Sequence, residues 1–164
     1  KGPVNMKTIN PAHVAAISKT VNTCPYFDLL SMEMKSLGRG ESHLEVTLDR
    51  KHLQPYGIVH GGVCASLIDA CIYWAVYADL EEAVGLTTVE MKLNYLAPVS
   101  KGILMGRGKS IKAGKKICLG EAAIVDRRER LIAHGTSTLM ILDALEIEGH
   151  ADLPPKFTER KAAL

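Results

Sequence analysis

The longest apolar stretch of this sequence runs from residue 63 to residue 78. It consists of Val, Ala, Leu, Ile, Cys, Tyr and Trp, and only Ser66 and Asp69 interrupt it. A helix that is apolar on all sides must be covered on all sides, so the stretch predicts a long buried helix from about Gly61 to Asp79. It is shorter than the ~20 apolar residues of a membrane span, and the carboxylate at its centre disfavours one.

Alternation of apolar and polar positions predicts strands on both sides of this helix. Before the helix, residues 31–49 predict two strands around Gly38 and Gly40. After it, four stretches alternate, and turns at "KAGK" and "DRRE" separate the last three: residues 87–98, 102–112, 116–126 and 130–142. In the first of these, the residues expected to share one face are Val89, Met91, Leu93 and Tyr95.

The two ends of the chain have a different character. Residues 10–22 predict a short amphipathic helix, and Pro11 is compatible with its first turn. The tail from Asp143 carries many charges and a Pro-Pro pair, and we expect it to be loosely attached or to wrap a neighbour.

Neither a repeat nor a linker divides the sequence. We therefore expect a single domain over residues 1–164, with an N-terminal helical extension over about 1–25 and a tail over about 143–164. The order of elements favours an α+β fold, in which a curved antiparallel sheet of five to six strands wraps around one long central helix. Because a single layer of sheet leaves part of that helix uncovered, a symmetric dimer is expected.

Composition adds limits on function and location. The net charge of +2 is too small to indicate binding to nucleic acid or to an anionic membrane. No signal-peptide pattern opens the sequence. The cysteines form no CxxC pair, and the two on the long helix would lie about 10 Å apart, too far for a disulfide. We expect reduced thiols and a cytoplasmic protein; the cysteines are Cys24, Cys64, Cys71 and Cys118.

Asp69 stands where its surroundings are apolar. An ionised carboxylate without partners in such surroundings costs several kcal/mol, and a chain keeps one that is hydrogen-bonded, at an interface or chemically used. Upstream, "HGG" at residues 60–62 begins the helix. The first N–H groups of a helix lack internal partners and can stabilise a developing oxyanion. Together these features suit attack of water on an acyl carbon.

Structural explanations for the same residues remain open. Asp69 can be a buried carboxylate capped by a loop, His60 a helix cap, and Gly61-Gly62 a site of close packing. Cys64 lacks an oriented His–Asp pair that would make it a nucleophile. The histidines show no spacing typical of metal ligands, and we expect no metal site from His43, His52, His60 and His134.

The segment "YGIVHGGVCASLIDACIYWA" resembles the signature of hotdog-fold acyl-CoA thioesterases of the phenylacetate-degradation (PaaI) type, within the 4-hydroxybenzoyl-CoA thioesterase superfamily. The resemblance spans roughly residues 40–142 and continues in "GLTTVEMKLNYLAPV", "GKSIKAGKKICLGEAAIVD" and "AHGTSTLMIL". It implies hydrolysis of acyl-CoA thioesters, a homodimer with active sites shared between subunits, and a homotetramer built from two such dimers.

The resemblance also implies roles for five residues. Asp69 would act as general base or nucleophile, and the Gly61 amide would polarise the thioester carbonyl. Gln54 would help to hold that carbonyl, Thr88 would orient the attacking water, and His60 would fix the loop. In such dimers, opposite chains supply the carboxylate and the amide.

Coenzyme A would be part of the substrate, so no separate cofactor is expected. The cations that could bind its phosphates cluster around two hairpins: Lys112, Lys115, Lys116, Arg127 and Arg128. Gly62 would let the ligand approach the helix, and the acyl group would lie near Tyr73 or Trp74. A wall for the nucleotide or pantetheine arm is expected from His134, Gly135 and Thr136.

Two other functions fit the same fold. One is an acyl-CoA-binding protein that does not cleave its ligand, although the joint presence of Asp69, Gln54 and Thr88 argues against it. The other is a hydratase or dehydratase acting on an acyl thioester, for which His60 is a candidate. The sequence favours the hydrolase over both.

Overall fold

The structure, a computed structural model, describes residues 7–81, 84–142, 145–147 and 150–159. Its elements, in chain order, are β1 (Lys7–Ile9), α1 (Pro11–Asn22), α2 (Pro25–Leu30), β2 (Met32–Gly38), β3 (Glu41–Thr47), α3 (Gly61–Asp79), β4 (Gly85–Tyr95), β5 (Ile103–Lys112), β6 (Ile117–Val125), β7 (Leu131–Leu142) and β8 (Phe157–Glu159). Parts of the predicted terminal extensions, residues 1–6, 143–144, 148–149 and 160–164, lie outside the described residues.

Six strands form one antiparallel sheet in the order β2-β3-β5-β6-β7-β4, and this sheet packs around α3. The predicted α+β architecture is therefore confirmed, and α3 has the predicted bounds. The predicted strands also form, as does the helix over residues 11–22, whose first turn is capped by the side chain of Asn10. A short 3-10 turn at Arg50–His52 lies inside the segment that separates β3 from α3.

One face of α3 remains uncovered by the described residues of its own chain. The helix has the length and apolar composition of a membrane span, but most of it is buried inside the protein, as in a core helix. Residues that recur every three to four positions are only half-buried, and they form a stripe on the helix: Ala65, Ser66, Asp69, Ala70 and Tyr73. The single sheet thus leaves the gap that the sequence predicts.

The sheet lies close to α3 because β5 carries glycines where the two meet. A Cβ added at Gly106 would lie 2.5 Å from Cys71 Sγ, and one at Gly108 would lie 2.2 Å from Cys71 O. Ser42 Oγ donates a hydrogen bond to the same carbonyl oxygen, at 2.6 Å. At these positions only a residue without a side chain lets strand and helix backbones approach so closely.

The C-terminal tail is not loosely attached in its described part, so the first of the two expectations for it was wrong. The strand β8 pairs with β1, and the buried Lys156 Nζ donates hydrogen bonds to the carbonyl oxygens of Tyr77 and Leu80. His13 joins the tail to the helix by hydrogen bonds to Pro154 O and the Tyr77 hydroxyl. The last carbonyl groups of a helix have no hydrogen-bond donor within the helix, and the tail supplies the Lys156 ammonium group as a donor to them.

Strand β4 departs from the predicted alternation. Its register with β7 shifts between Thr88 and Glu90, as in a β-bulge. Met91 and Leu93 pack against the core, but Val89 is 56% exposed. The expectation that Val89 shares their face was therefore wrong, because the irregularity interrupts the period of two.

We predict that Gly108→Ala lowers the free energy of unfolding by about 1–3 kcal/mol, because the added methyl group meets helix backbone that has no room to move. Gly38→Ala in β2 is the matched control, since a Cβ there meets nothing within 4 Å. Urea unfolding of both variants measures the difference. Equal stability of the two variants would contradict the close approach of β5 to α3.

Candidate active site

The start of α3 presents one backbone donor that has no acceptor among the described residues. His60 is the N-cap residue, and its Nδ1 accepts a hydrogen bond from the Gly62 N–H at 2.9 Å. Among the described residues, the Gly61 N–H makes no hydrogen bond. The positive end of the helix dipole lies at this amide, which is therefore ready to bind an oxygen that carries negative charge.

His52 holds the loop that leads to this helix start, a role that the sequence did not reveal. Its Nδ1 accepts the Asp49 N–H at 2.8 Å, and its other ring nitrogen lies 2.9 Å from Leu30 O. Because Nδ1 acts as an acceptor, the proton lies on Nε2, which donates to that carbonyl. The His52 carbonyl in turn accepts the His60 N–H at 2.8 Å. The buried imidazole thus fixes the approach to α3.

A cavity of about 350 Å³ opens beside the Gly61 amide. Gln54 and Cys64 line it, and its remaining wall is largely apolar, from residues 95–99 and Ile132. The Gln54 side chain makes no hydrogen bond within the described part of the chain. Burial raises the pKa of Cys64 to about 11, so this thiol stays protonated and is a poor nucleophile at neutral pH.

Tyr95 contacts the helix start and was not singled out as a site residue. Its ring lies 3.1 Å from the position that a Gly61 Cβ would occupy. Any side chain at residue 61 would press against this ring. This contact explains why the first glycine of "HGG", Gly61, has no side chain. The other, Gly62, is exposed and donates to the His60 cap.

Thr88 orients the carboxylate of Asp69 through a hydrogen bond. Thr88 Oγ1, on β4, donates a hydrogen bond to Asp69 Oδ1 at 2.7 Å. Asp69 is half-buried on the uncovered stripe of α3. Tyr73 follows one turn later on the same stripe. Burial raises the pKa of Tyr73, and the negative charge of Asp69 adds to this shift.

The predicted site residues form two groups that one chain does not bring together. Gly61, Gln54 and His60 lie at the start of α3, whereas Asp69 and Thr88 lie near its middle. Asp69 follows Gly61 by eight positions, which is about 12 Å along a helix axis. An oxygen that accepts the Gly61 N–H therefore does not also reach the Asp69 carboxylate directly, because a hydrogen bond spans about 3 Å.

The remaining predicted residues lie elsewhere. The hairpin that carries Lys112, Lys115 and Lys116 lies at the other end of α3, where Ala113, Gly114 and Lys115 line a cavity together with Asp79. On β7, Gly135 packs towards Ile68 of α3, but His134 lines a groove with His43 and Arg107. Thr136 is half-buried on that strand, and Trp74 is buried in the core. In the described residues, no three His, Cys, Asp or Glu side chains gather as a metal site requires.

Comparison with known families finds one match. The sequence model of the thioesterase superfamily matches residues 56–133, a segment that contains the helix start, Asp69, Thr88 and Tyr95. Gln54 lies two residues outside the matched segment.

Similar proteins cover most of the chain. A protein of Saccharolobus solfataricus, provisionally named an esterase, is 26% identical over 128 residues, which cover 78% of this chain and 85% of the relative. A 1,4-dihydroxy-2-naphthoyl-CoA hydrolase of Listeria monocytogenes is 24% identical over 114 residues, 70% and 93% of the two chains. The crystal structure of a thioesterase from Haemophilus influenzae superposes with a TM-score of 0.76 at 23% identity, over 86% and 98% of the chains, and shares the fold.

We predict that His60→Ala lowers the free energy of unfolding by about 1 kcal/mol, because the Gly62 N–H loses its cap. His60→Asn is the control, since an asparagine side chain can also accept this hydrogen bond and should retain most of the stability. Thermal unfolding of both variants tests this. Equal losses in the two variants would show that the cap contributes nothing.

Proposed function

We propose that this chain, whose residues 56–133 match the sequence model of the thioesterase superfamily, hydrolyses acyl-CoA thioesters to a free acid and coenzyme A. The observation that carries the proposal is the carboxylate of Asp69, oriented by Thr88 on the uncovered stripe of α3. The unused Gly61 N–H at the helix start supplies the complementary donor. The name of the Listeria monocytogenes relative, a hydrolase of an aryl-CoA thioester, supports the choice of substrate class.

In the proposed reaction, the thioester carbonyl oxygen accepts hydrogen bonds from the Gly61 N–H and the Gln54 carboxamide. Asp69 acts as general base and takes a proton from water, whose oxygen bonds to the acyl carbon. The two donors stabilise the negative charge of the tetrahedral intermediate. The C–S bond then breaks, and the sulfur leaves as coenzyme A after taking up a proton. In a second form of the mechanism, Asp69 attacks the acyl carbon itself and water hydrolyses the resulting anhydride.

The active site proposed here is shared by two chains. Because Gly61 and Asp69 of one chain lie about 12 Å apart along the helix axis, we infer that a second copy brings its Asp69 to the first copy's Gly61. The uncovered stripe of α3 supports this arrangement, and so does the adjacent strand β4, which pairs with β7 alone in the described part of the chain. Such an edge strand is open to pairing with a second copy. We propose a two-fold symmetric homodimer, two of which form a homotetramer.

The acyl group would extend along α3 from Asp69 towards Tyr73, where the partner chain closes the pocket. Coenzyme A enters and leaves as part of the substrate, so the reaction needs no separate cofactor. We also propose a cytoplasmic location, which is supported by the four unpaired cysteines.

We predict that Asp69→Asn lowers kcat by about 10²–10⁴-fold while substrate binding is largely kept, because the amide has the same shape but cannot accept the proton. Thiol release from a panel of acyl- and aryl-CoA esters measures this in wild type and variant, and it also ranks the acyl groups. If wild type binds these esters and cleaves none, the protein is a binding module. Hydration of an enoyl-CoA without thiol release would instead indicate a hydratase.

A proline at residue 61 tests the amide donor directly. We predict that Gly61→Pro lowers kcat by about 10²–10³-fold, because proline lacks the N–H. Proline is well tolerated at the first position of a helix, and His60 already has the extended backbone conformation that a following proline requires. Gly61→Ala is the control, because it adds the same Cβ against Tyr95 but keeps the donor. Equal loss in both variants would contradict a role for the amide.

The two variants together test the shared site. In a heterodimer of Asp69→Asn and Gly61→Pro chains, purified through two different tags, one site carries both substitutions and the other carries neither. We therefore expect about half of the wild-type activity per dimer, although each variant alone is nearly inactive. A heterodimer as inactive as its parents, or light scattering that shows only a monomer, would exclude a site shared by two chains.

A further inference from the structure

The two basic hairpins, at residues 112–116 and 126–130, are equal candidates for phosphate binding in the sequence. The structure places them at different positions along α3. The β5–β6 hairpin lies beside Asp79 at the end of α3. The turn between β6 and β7, at residues 126–130, contributes residues 126–128 and Arg130 to a different cleft of about 450 Å³, which residues 98–103 also line. Gly61 and Asp79 are about 27 Å apart along the helix. Only one of the two hairpins can therefore lie near Gly61 of the same chain.

The cleft at residues 126–130 adjoins the cavity beside the Gly61 amide. Pro98 and Val99 line both spaces. Arg130 ties the turn to this shared wall, because its guanidinium donates to Pro98 O at 3.1 Å and to Asp126 Oδ2 at 3.1 Å. A ligand whose reactive end lies at Gly61 can thus extend past Pro98 into the cleft.

Three cations of this cleft have no ionic partner within the described residues. The acidic residues of the turn are already neutralised, since Asp126 pairs with Arg130 and Glu129 forms a two-fold hydrogen-bonded pair with Arg107, at 2.7 and 2.8 Å. Lys101, Arg127 and Arg128 form no such pair. In a chain whose net charge is only +2, this concentration of unpaired positive charge marks an anion-binding surface.

We propose that Lys101, Arg127 and Arg128 bind the phosphate groups of the coenzyme A nucleotide, in the chain that also supplies the Gly61 amide. The proposal rests on the proposed function, which gives the ligand its nucleotide. Arginine suits this task, since its planar guanidinium can donate two parallel hydrogen bonds to one phosphate. The Asp126–Arg130 pair positions the turn, and the hairpin at Lys115 and Lys116 lies too far from the same Gly61 to serve it.

Steady-state kinetics with two substrates test the proposal. The double variant Arg127→Gln/Arg128→Gln is compared with Lys115→Gln/Lys116→Gln, each with an acyl-CoA and with the corresponding acyl-pantetheine, which lacks the nucleotide. For the arginine variant we expect KM for the acyl-CoA to rise by about 10- to 100-fold, because charge-assisted hydrogen bonds to phosphate are lost. KM for the acyl-pantetheine should change by less than about 2-fold, since that substrate has no nucleotide phosphates.

Other outcomes would overturn the proposal. Equal rises of KM for both substrates would show that the arginines act through the structure of the turn. A larger rise in the lysine variant would assign the phosphates to the β5–β6 hairpin, which a partner chain could then supply. Binding of 3′-phosphoadenosine 5′-diphosphate, measured by calorimetry, separates this inference from the proposed function. If wild type cleaves no thioester but binds this nucleotide through Arg127 and Arg128, the proposed hydrolysis is wrong and the proposed phosphate site stands.

Discussion

The structure depends on the close packing of one curved sheet against an apolar helix. Such a helix must be covered. A sheet can wrap around it tightly only where the strand residues that face the helix have no side chain. Gly106 and Gly108 of β5 allow this, as each faces Cys71 with no space for a Cβ. Gly120 and Gly135 extend the contact to β6 and β7.

The same packing explains why the candidate active site lies at the surface of one chain. A single sheet covers most of α3 and leaves a stripe, and Asp69 lies on that stripe in contact with Thr88 of the adjacent edge strand. The amide of Gly61, left without a partner by helix geometry, lies two turns away. In the proposed function a second copy completes the site, because the carboxylate and the donor lie this far apart in one chain. Assembly and catalysis are thus linked in the proposed function.

Much of the local structure could be predicted from the sequence, because periodicity is a local property. The strands of the main sheet follow from it, whereas the bounds of α3 follow from an almost unbroken apolar run, and a helix cap at His60 is one of the explanations that the sequence leaves open. The pairing of β1 with β8 could not be predicted, since three-residue strands carry no periodic signal. The burial of Lys156 also escaped prediction, because a lysine in a charged tail has nothing in its sequence context to indicate a helix end.

The sequence by itself determined which chemistry is available: a carboxylate in an apolar helix, glycines at the helix start, and two clusters of basic residues. Tertiary structure alone decided how these groups are arranged. It placed the arginine turn beside the Gly61 cavity and the lysine hairpin at the opposite end of α3, because strand order and register set the location of each turn. It also placed Tyr95 against Gly61 and His52 beneath the loop. The contacts of Tyr95 with Gly61 and of His52 with Leu30 O join residues 34 and 22 positions apart, so no local pattern encodes them.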